Sequence, residues 1–227
     1  FRRVLFRSSA RLVSAGNHPG LKTQYPVSAQ IQTKHKVIAV AASTGGTEAL
    51  KVFLQGFPPG APGMLIVQHM PPVFTRCYAA FLKSLTAFDV REAQEGDRVE
   101  SGTVLLAPGN FHMELVQSGP SCAVHLHQRD ALHGVRPSAD YLFKSVAKTM
   151  GSNATGVILT GMGRDGAEGL LEMKRAGAFT LAQDEETCVV FGMPKEAIAI
   201  GAVDQVLALN QIPQAVLNHP SVTKKAA

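Results

Sequence analysis

Apolar residues fall along this chain in short unbroken runs separated by stretches of helical periodicity, beginning near residue 36. Val37 to Ala42 is uninterrupted by any polar residue, the pattern of a strand covered on both faces. Ser43-Thr44-Gly45-Gly46 breaks the run, and Thr47 to Leu54 then sets Ala49, Leu50, Phe53 and Leu54 on one side of a helix. A Pro- and Gly-rich loop follows from Phe57 to Gly63. Met64 to Val67 reads as a second buried strand and Val73 to Leu85 as a second helix.

The middle of the chain has a different rhythm. Thr103 to Ala107, His112 to Val116 and Cys122 to His127 predict three short strands separated by Pro, Gly, Asn and Ser. The last two are joined by a hairpin-like Gln117-Ser118-Gly119-Pro120-Ser121. Alternation then resumes. A helix is predicted over Pro137 to Met150, a strand over Gly156 to Thr160, a helix over Gly166 to Ala176 and a strand over Phe179 to Ala182. Closing helices are expected at Met193 to Ile200 and Gln211 to Leu217. Strands alternating with helices through short turns predict an α/β fold, a doubly wound, mostly parallel sheet with helices on both faces. The middle strands predict an antiparallel hairpin at one edge. The expected organisation is a flexible basic linker or remnant over 1–35, one domain over 36–218 and a frayed tail over 219–227.

With 45% apolar and 17% charged residues in 227, a core of ordinary size can be buried. No apolar stretch reaches the roughly 18 residues of a membrane span, so no membrane insertion is expected. The net charge of +5 is unevenly placed. Residues 1–36 hold seven Lys or Arg and no acidic residue, leaving 15 basic against 17 acidic groups in the remainder. A basic leading segment without a basic domain argues against a nucleic-acid partner. The first fifteen residues, Arg-rich and free of acids, also fit a transit-peptide composition, and the chain does not begin with Met. Cys77, Cys122 and Cys188 are odd in number and widely spaced, which predicts buried thiols in a reducing compartment and no structural zinc.

In an open α/β sheet, ligands gather at the carboxyl ends of the strands. Three strand ends here carry reactive groups: Ser43 after the first, His69 after the second, and Asp165 after the strand that precedes Gly161. A hydroxyl, an imidazole and a carboxylate are the requirements of acyl transfer to serine. Each residue also has a plainer reading. Ser43 and Asp165 suit helix N-caps, and His69 suits a strand-end surface position held by Pro71 and Pro72. The usual GxSxG elbow is absent, because Ala41 and Gly45 flank Ser43 at the outer positions.

A competitor lies in the same loop. Gly161, Gly163 and Gly166 spell GxGxxG between a strand and a helix, with Asp184 after the next strand, as in a dinucleotide-binding loop. Against it, Asp165 sets a carboxylate beside the diphosphate, and the motif comes late in the fold. His125 and His127 share a strand face without a third ligand at metal spacing, so no metal and no cofactor are expected. Asp184-Glu185-Glu186 reads as a solvated loop, and Met162 and Met193 as pocket lining or core filler.

Taken together, the segments resemble the catalytic domain of chemotaxis protein-glutamate methylesterases. The likeness runs through Ala42-Ser43-Thr44-Gly45-Gly46, Gln68-His69-Met70-Pro71-Pro72 and Ala107-Pro108-Gly109. It continues in Arg136-Pro137-Ser138-Ala139-Asp140, Leu159 to Gly166, Ala182 to Glu185 and Phe191 to Ala197. The resemblance implies a triad of Ser43, His69 and Asp165, with the backbone N–H groups of Met162 and Thr44 as oxyanion hole. It implies a cytoplasmic enzyme that hydrolyses glutamyl γ-methyl esters on the cytoplasmic helices of a chemoreceptor, releasing methanol, and that also deamidates receptor glutamines. Members usually carry an N-terminal receiver domain. Nothing before Lys36 forms one, so it is expected to be absent from this chain, with 1–35 a linker remnant and Phe1 to Ser8 foreign. Arg76 and Arg136, beside matched motifs, are candidates for receptor contact and also suit solvated surface. A non-catalytic receptor-binding module stays open as a further reading.

Overall fold

A computed structural model describes residues 37–119 and 121–219. The expected leading segment 1–35 and the tail beyond His219 lie outside the described residues. Strand β1 (Val37–Ala42) is followed by α1 (Gly46–Gln55), β2 (Gly63–Gln68), α2 (Phe74–Leu85), β3 (Asp89–Glu92) and β4 (Thr103–Leu106). A hairpin of β5 (His112–Ser118) and β6 (Ser121–His127) comes next, then α3 (Ala139–Met150), β7 (Ala154–Ile158) and α4 (Ala167–Arg175). Strand β8 (Phe179–Gln183), α5 (Met193–Ala199), β9 (Gln205–Leu207) and α6 (Ile212–Asn218) complete the order.

Seven strands form one parallel sheet in the order β3-β4-β2-β1-β7-β8-β9. Strand β1 lies in the middle and is buried along its whole length, which explains its unbroken apolar run. Its side chains alternate between two cores. Val37, Ala39 and Ala41 share one core with Leu142, Phe143 and Val146 of α3 and Leu170 of α4. Ile38, Val40 and Ala42 share the other with Leu50 and Phe53 of α1, Leu82 of α2 and Ile212 of α6. The doubly wound fold is therefore as expected.

The hairpin departs from expectation. It is a separate antiparallel ribbon and extends no edge of the parallel sheet. Helix α3 takes the place of a neighbouring strand: Ser145 Oγ accepts from the Leu115 N–H at 2.9 Å and Thr149 Oγ1 donates to the Leu115 carbonyl at 3.0 Å. These side chains satisfy backbone groups of β5 that a sheet partner would otherwise satisfy. Residues 103–107, expected with the antiparallel group, instead begin in β4, a parallel strand between β3 and β2. Strands β3 and β9 were not foreseen. Both lie at sheet edges, are short and carry polar residues facing solvent, so neither shows an apolar run. Cys77 is exposed and Cys122 and Cys188 are half-buried, so the expectation of buried thiols does not hold.

Candidate active site

Strand order reverses between β1 and β7, which is where such sheets open a crevice at their carboxyl ends. The turns after β1, β2 and β7 meet there. The Ser43 N–H donates to the Thr160 carbonyl at 3.0 Å, and the His69 N–H to the Ala42 carbonyl at 3.2 Å. Gln68 Nε2 donates to the Ser43 carbonyl at 3.0 Å, and Thr160 Oγ1 donates to that of Thr44 at 2.9 Å. The Ser43 turn is thus tied to both flanking strands.

Space around the turn is as restricted as its backbone. Gly45 has φ of 81°, and a Cβ there would lie 2.5 Å from Val189 Cβ. A Cβ on Gly46 would overlap Gln68 Oε1. Helix α1 begins with Gly45 at its N-cap and no side-chain cap, so Ser43 is not the helix cap of the plainer reading. Among the described residues no hydrogen bond uses the Ser43 hydroxyl, and the residue is half-exposed. It is free to meet a ligand, and hydrogen bonds of this kind commonly tighten only when substrate is bound.

His69 and Asp165 are joined directly, Nε2 to Oδ2 at 2.8 Å, with side-chain exposures of 12% and 3%. Asp165 also acts as a helix cap, though not of the helix that follows it. Helix α4 has Gly166 at its N-cap. The Asp165 carboxylate instead receives the N-terminus of α3, with Ala139 N–H on Oδ2 at 2.6 Å and Asp140 N–H on Oδ1 at 3.3 Å. Ser138 Oγ adds a bond to Oδ1 at 2.6 Å. Burial alone pushes this carboxyl up, but the bonds from His69, Ser138 and Ala139 outweigh it and hold it below its ordinary value. An ionised carboxylate accepts only, so Nε2 carries the proton and Nδ1 is left as the basic nitrogen.

The backbone N–H groups of Thr44 and Met162 donate no hydrogen bond among the described residues. Gly161, just before Met162, is held on both sides: its N–H donates to Val190 O at 3.0 Å, and its carbonyl accepts from Gly192 and Met193 at 3.1 and 2.8 Å. The Met162 side chain is 75% exposed while Met193 is fully buried. An open pocket of about 370 Å³ lies beside His69, with Met70, Pro71, Pro72, Asn110 and Arg136 in its wall. Arg136 is not a free surface cation. It donates to Asn110 Oδ1 and to the carbonyls of Gln128 and Arg129.

The dinucleotide reading fails on the carboxylates. Asp165 lies buried beneath the glycine loop, bonded to His69 and α3, and Asp184 accepts from the Thr187 N–H at 3.0 Å in its own turn. His125 pairs with Glu95 at 3.1 Å. Gln68, Ser138 and Thr160 were not singled out from the sequence. Gln68 carried a signal, a polar residue closing an apolar run. Ser138 carried another, a serine immediately before a helix.

Comparison with known proteins covers the same part of the chain. The family model described as CheB methylesterase matches residues 38–216. A protein-glutamate methylesterase/protein-glutamine glutaminase of Bdellovibrio bacteriovorus is 61% identical over 196 residues, 86% of this chain and 55% of the relative. One of Yersinia pestis bv. Antiqua is 53% identical over 201 residues, 88% of this chain and 56% of the relative. The chain spans about half the length of the curated relatives it matches. The crystal structure of the Thermotoga maritima CheB methylesterase catalytic domain superposes with a TM-score of 0.78 at 38% identity, covering 80% of this chain and 97% of that one.

Proposed function

This chain belongs to the CheB methylesterase family, and from that premise we propose that it hydrolyses glutamyl γ-methyl esters on the cytoplasmic helices of a chemoreceptor, with Ser43, His69 and Asp165 as the triad. The observation that carries the reading is the part-buried His69–Asp165 pair at 2.8 Å, beside a serine turn tied to the same strand ends. His69 Nδ1 takes the Ser43 proton as Oγ attacks the ester carbonyl. Asp165 holds the imidazole and stabilises the imidazolium that forms. The unengaged N–H groups of Thr44 and Met162 receive the oxyanion, at roughly 2.7–4 kcal/mol of transition-state stabilisation each. His69 then returns its proton to the leaving methoxide, and methanol departs. Water activated by His69 cleaves the acyl-enzyme to free glutamate. The same steps applied to a glutamine side chain release ammonia, which accounts for deamidation as a companion activity.

A macromolecular substrate suits the rim of the crevice. Val73, Phe74, Met162 and Val189 are 76%, 64%, 75% and 69% exposed, and all four lie on segments that follow or hold the site. Exposed apolar side chains gathered around a polar centre mark a contact surface for a partner. No helix among the described residues is long and apolar enough to cross a membrane, and the reaction is assigned to the cytoplasm, where the receptor helices lie.

The decisive experiment is methanol release from methylated chemoreceptor membranes. Ser43→Ala is expected to lower turnover by about four to six orders of magnitude. Its stability should change by no more than about 0.5 kcal/mol, because the hydroxyl has no partner to lose. Retention of near-normal release by the folded variant overturns the nucleophile. No release by the wild-type protein overturns the reaction.

A further inference from the structure

Ser138 immediately precedes α3 and is completely buried. A serine there ordinarily accepts a hydrogen bond from the first turn of its helix. Ser138 makes no such cap. Its Oγ donates instead to Asp165 Oδ1 at 2.6 Å, and the first N–H groups of the helix, those of Ala139 and Asp140, point to the same carboxylate. The residue is gripped from behind as well. Its own N–H donates to His112 Nδ1 at 3.1 Å, and His112 Nε2–H donates to the Asp130 carbonyl at 3.1 Å. A line of buried groups therefore runs from the hairpin through His112 and Ser138 to Asp165 and His69.

We propose that Ser138 is a positioning residue for the hydrolytic reaction, its hydroxyl pinning Asp165 Oδ1 so that Oδ2 faces His69 Nε2. The proposal rests on the hydrolase reading above. A carboxylate turns readily about its last torsion. Anchoring one oxygen fixes the direction of the other, and the imidazole follows. Without the hydroxyl, Oδ1 keeps only the Asp140 N–H at 3.3 Å. Oδ2 still holds the Ala139 N–H at 2.6 Å, but with its short Oδ1 anchor gone the carboxylate can pivot about that contact relative to His69, and it loses a donor that favours its charged form.

The test compares the wild-type chain with Ser138→Ala and with Ser138→Cys, which keeps a weak donor of similar shape. Methanol release should show kcat reduced about 10- to 100-fold in the alanine variant, the scale of one hydrogen bond to a charged group, with KM within about twofold. The cysteine variant should fall between. In parallel, the Asp165 carboxyl carbon is followed by NMR as a function of pH without substrate. It should titrate at higher pH in Ser138→Ala than in the wild type. If the alanine variant does not fold, the cysteine variant carries both readouts. A loss confined to KM, an unmoved carboxyl titration, or lower thermal stability with both readouts unchanged overturns the proposal and leaves Ser138 a purely structural group. A wild-type protein that releases no methanol defeats the hydrolase reading alone, because the carboxyl titration still decides whether Ser138 controls Asp165.

Discussion

Asp165 joins two roles in one carboxylate: it meets the imidazole of His69 and it terminates α3. Four donors converge on it in a buried setting, and the net result is a carboxyl held below its ordinary value against the upward push of burial. A carboxyl lowered in the folded state contributes stability that is present above its unfolded pKa, about 3.9, and is lost as pH falls through the folded value. Urea midpoints measured from pH 7 down to pH 3 should therefore fall more steeply for the wild-type protein than for Asp165→Asn, which has no proton to take up. Parallel curves would assign the acid sensitivity to other carboxylates. The placement of Ser43, His69 and Asp165 after strand ends was legible in the sequence. Which helix Asp165 caps was not legible, because Ala139 and Asp140 are distant from it along the chain and only the packing of α3 brings them near.

At the scale of elements, glycines set how closely the turns approach. A Cβ on Gly161 would overlap Met193 Sδ and lie 2.8 Å from Ser43 Cβ. The segment after β7 can reach the Ser43 turn only because that position has no side chain. Gly161→Ala should push either the Ser43 turn or the Met193 side chain aside. Overpacking of this kind costs about 1–3 kcal/mol, and a displacement near 1 Å lowers activity by up to about 100-fold. Methanol release and thermal unfolding measured together check it. Unchanged activity would mean that Met193 alone gives way and that the approach is not critical for catalysis. The helices were readable because their buried positions recur at helical spacing, as in Ala49, Leu50, Phe53 and Leu54 of α1. The edge strands β3 and β9 were not, since strands this short and this exposed carry no comparable period.

At the scale of the whole molecule, the described residues form two cores that share one sheet. Leu142 on α3 lies in one and Leu50 on α1 in the other, and both are fully buried. Their helices never touch the same face, yet the alternating residues of β1 connect the cores through a single strand. Loosening either face should therefore weaken the same unfolding event. Leu50→Ala and Leu142→Ala are each expected to lower stability by about 2–5 kcal/mol, with one cooperative transition seen alike by circular dichroism and by fluorescence of a label on Cys77, which is exposed on α2. A second transition appearing in either variant would show that the two faces unfold independently.

By itself, the sequence determined the alternation of strands and helices, the parallel central sheet and the three strand ends at which Ser43, His69 and Asp165 stand. These features depend on neighbours a few residues apart, whose apolar spacing records burial directly. Tertiary structure alone decided that the hairpin stacks on α3 and leaves the sheet edge free, and that Asp165 turns inward to His69 and the start of α3. It also decided that Ser138, His112 and Gln68 stand behind or beside Ser43, His69 and Asp165. Such contacts join residues remote in the chain through hydrogen bonds between polar side chains and backbone. A polar residue that will be buried and partnered has the same local appearance as one that will face water.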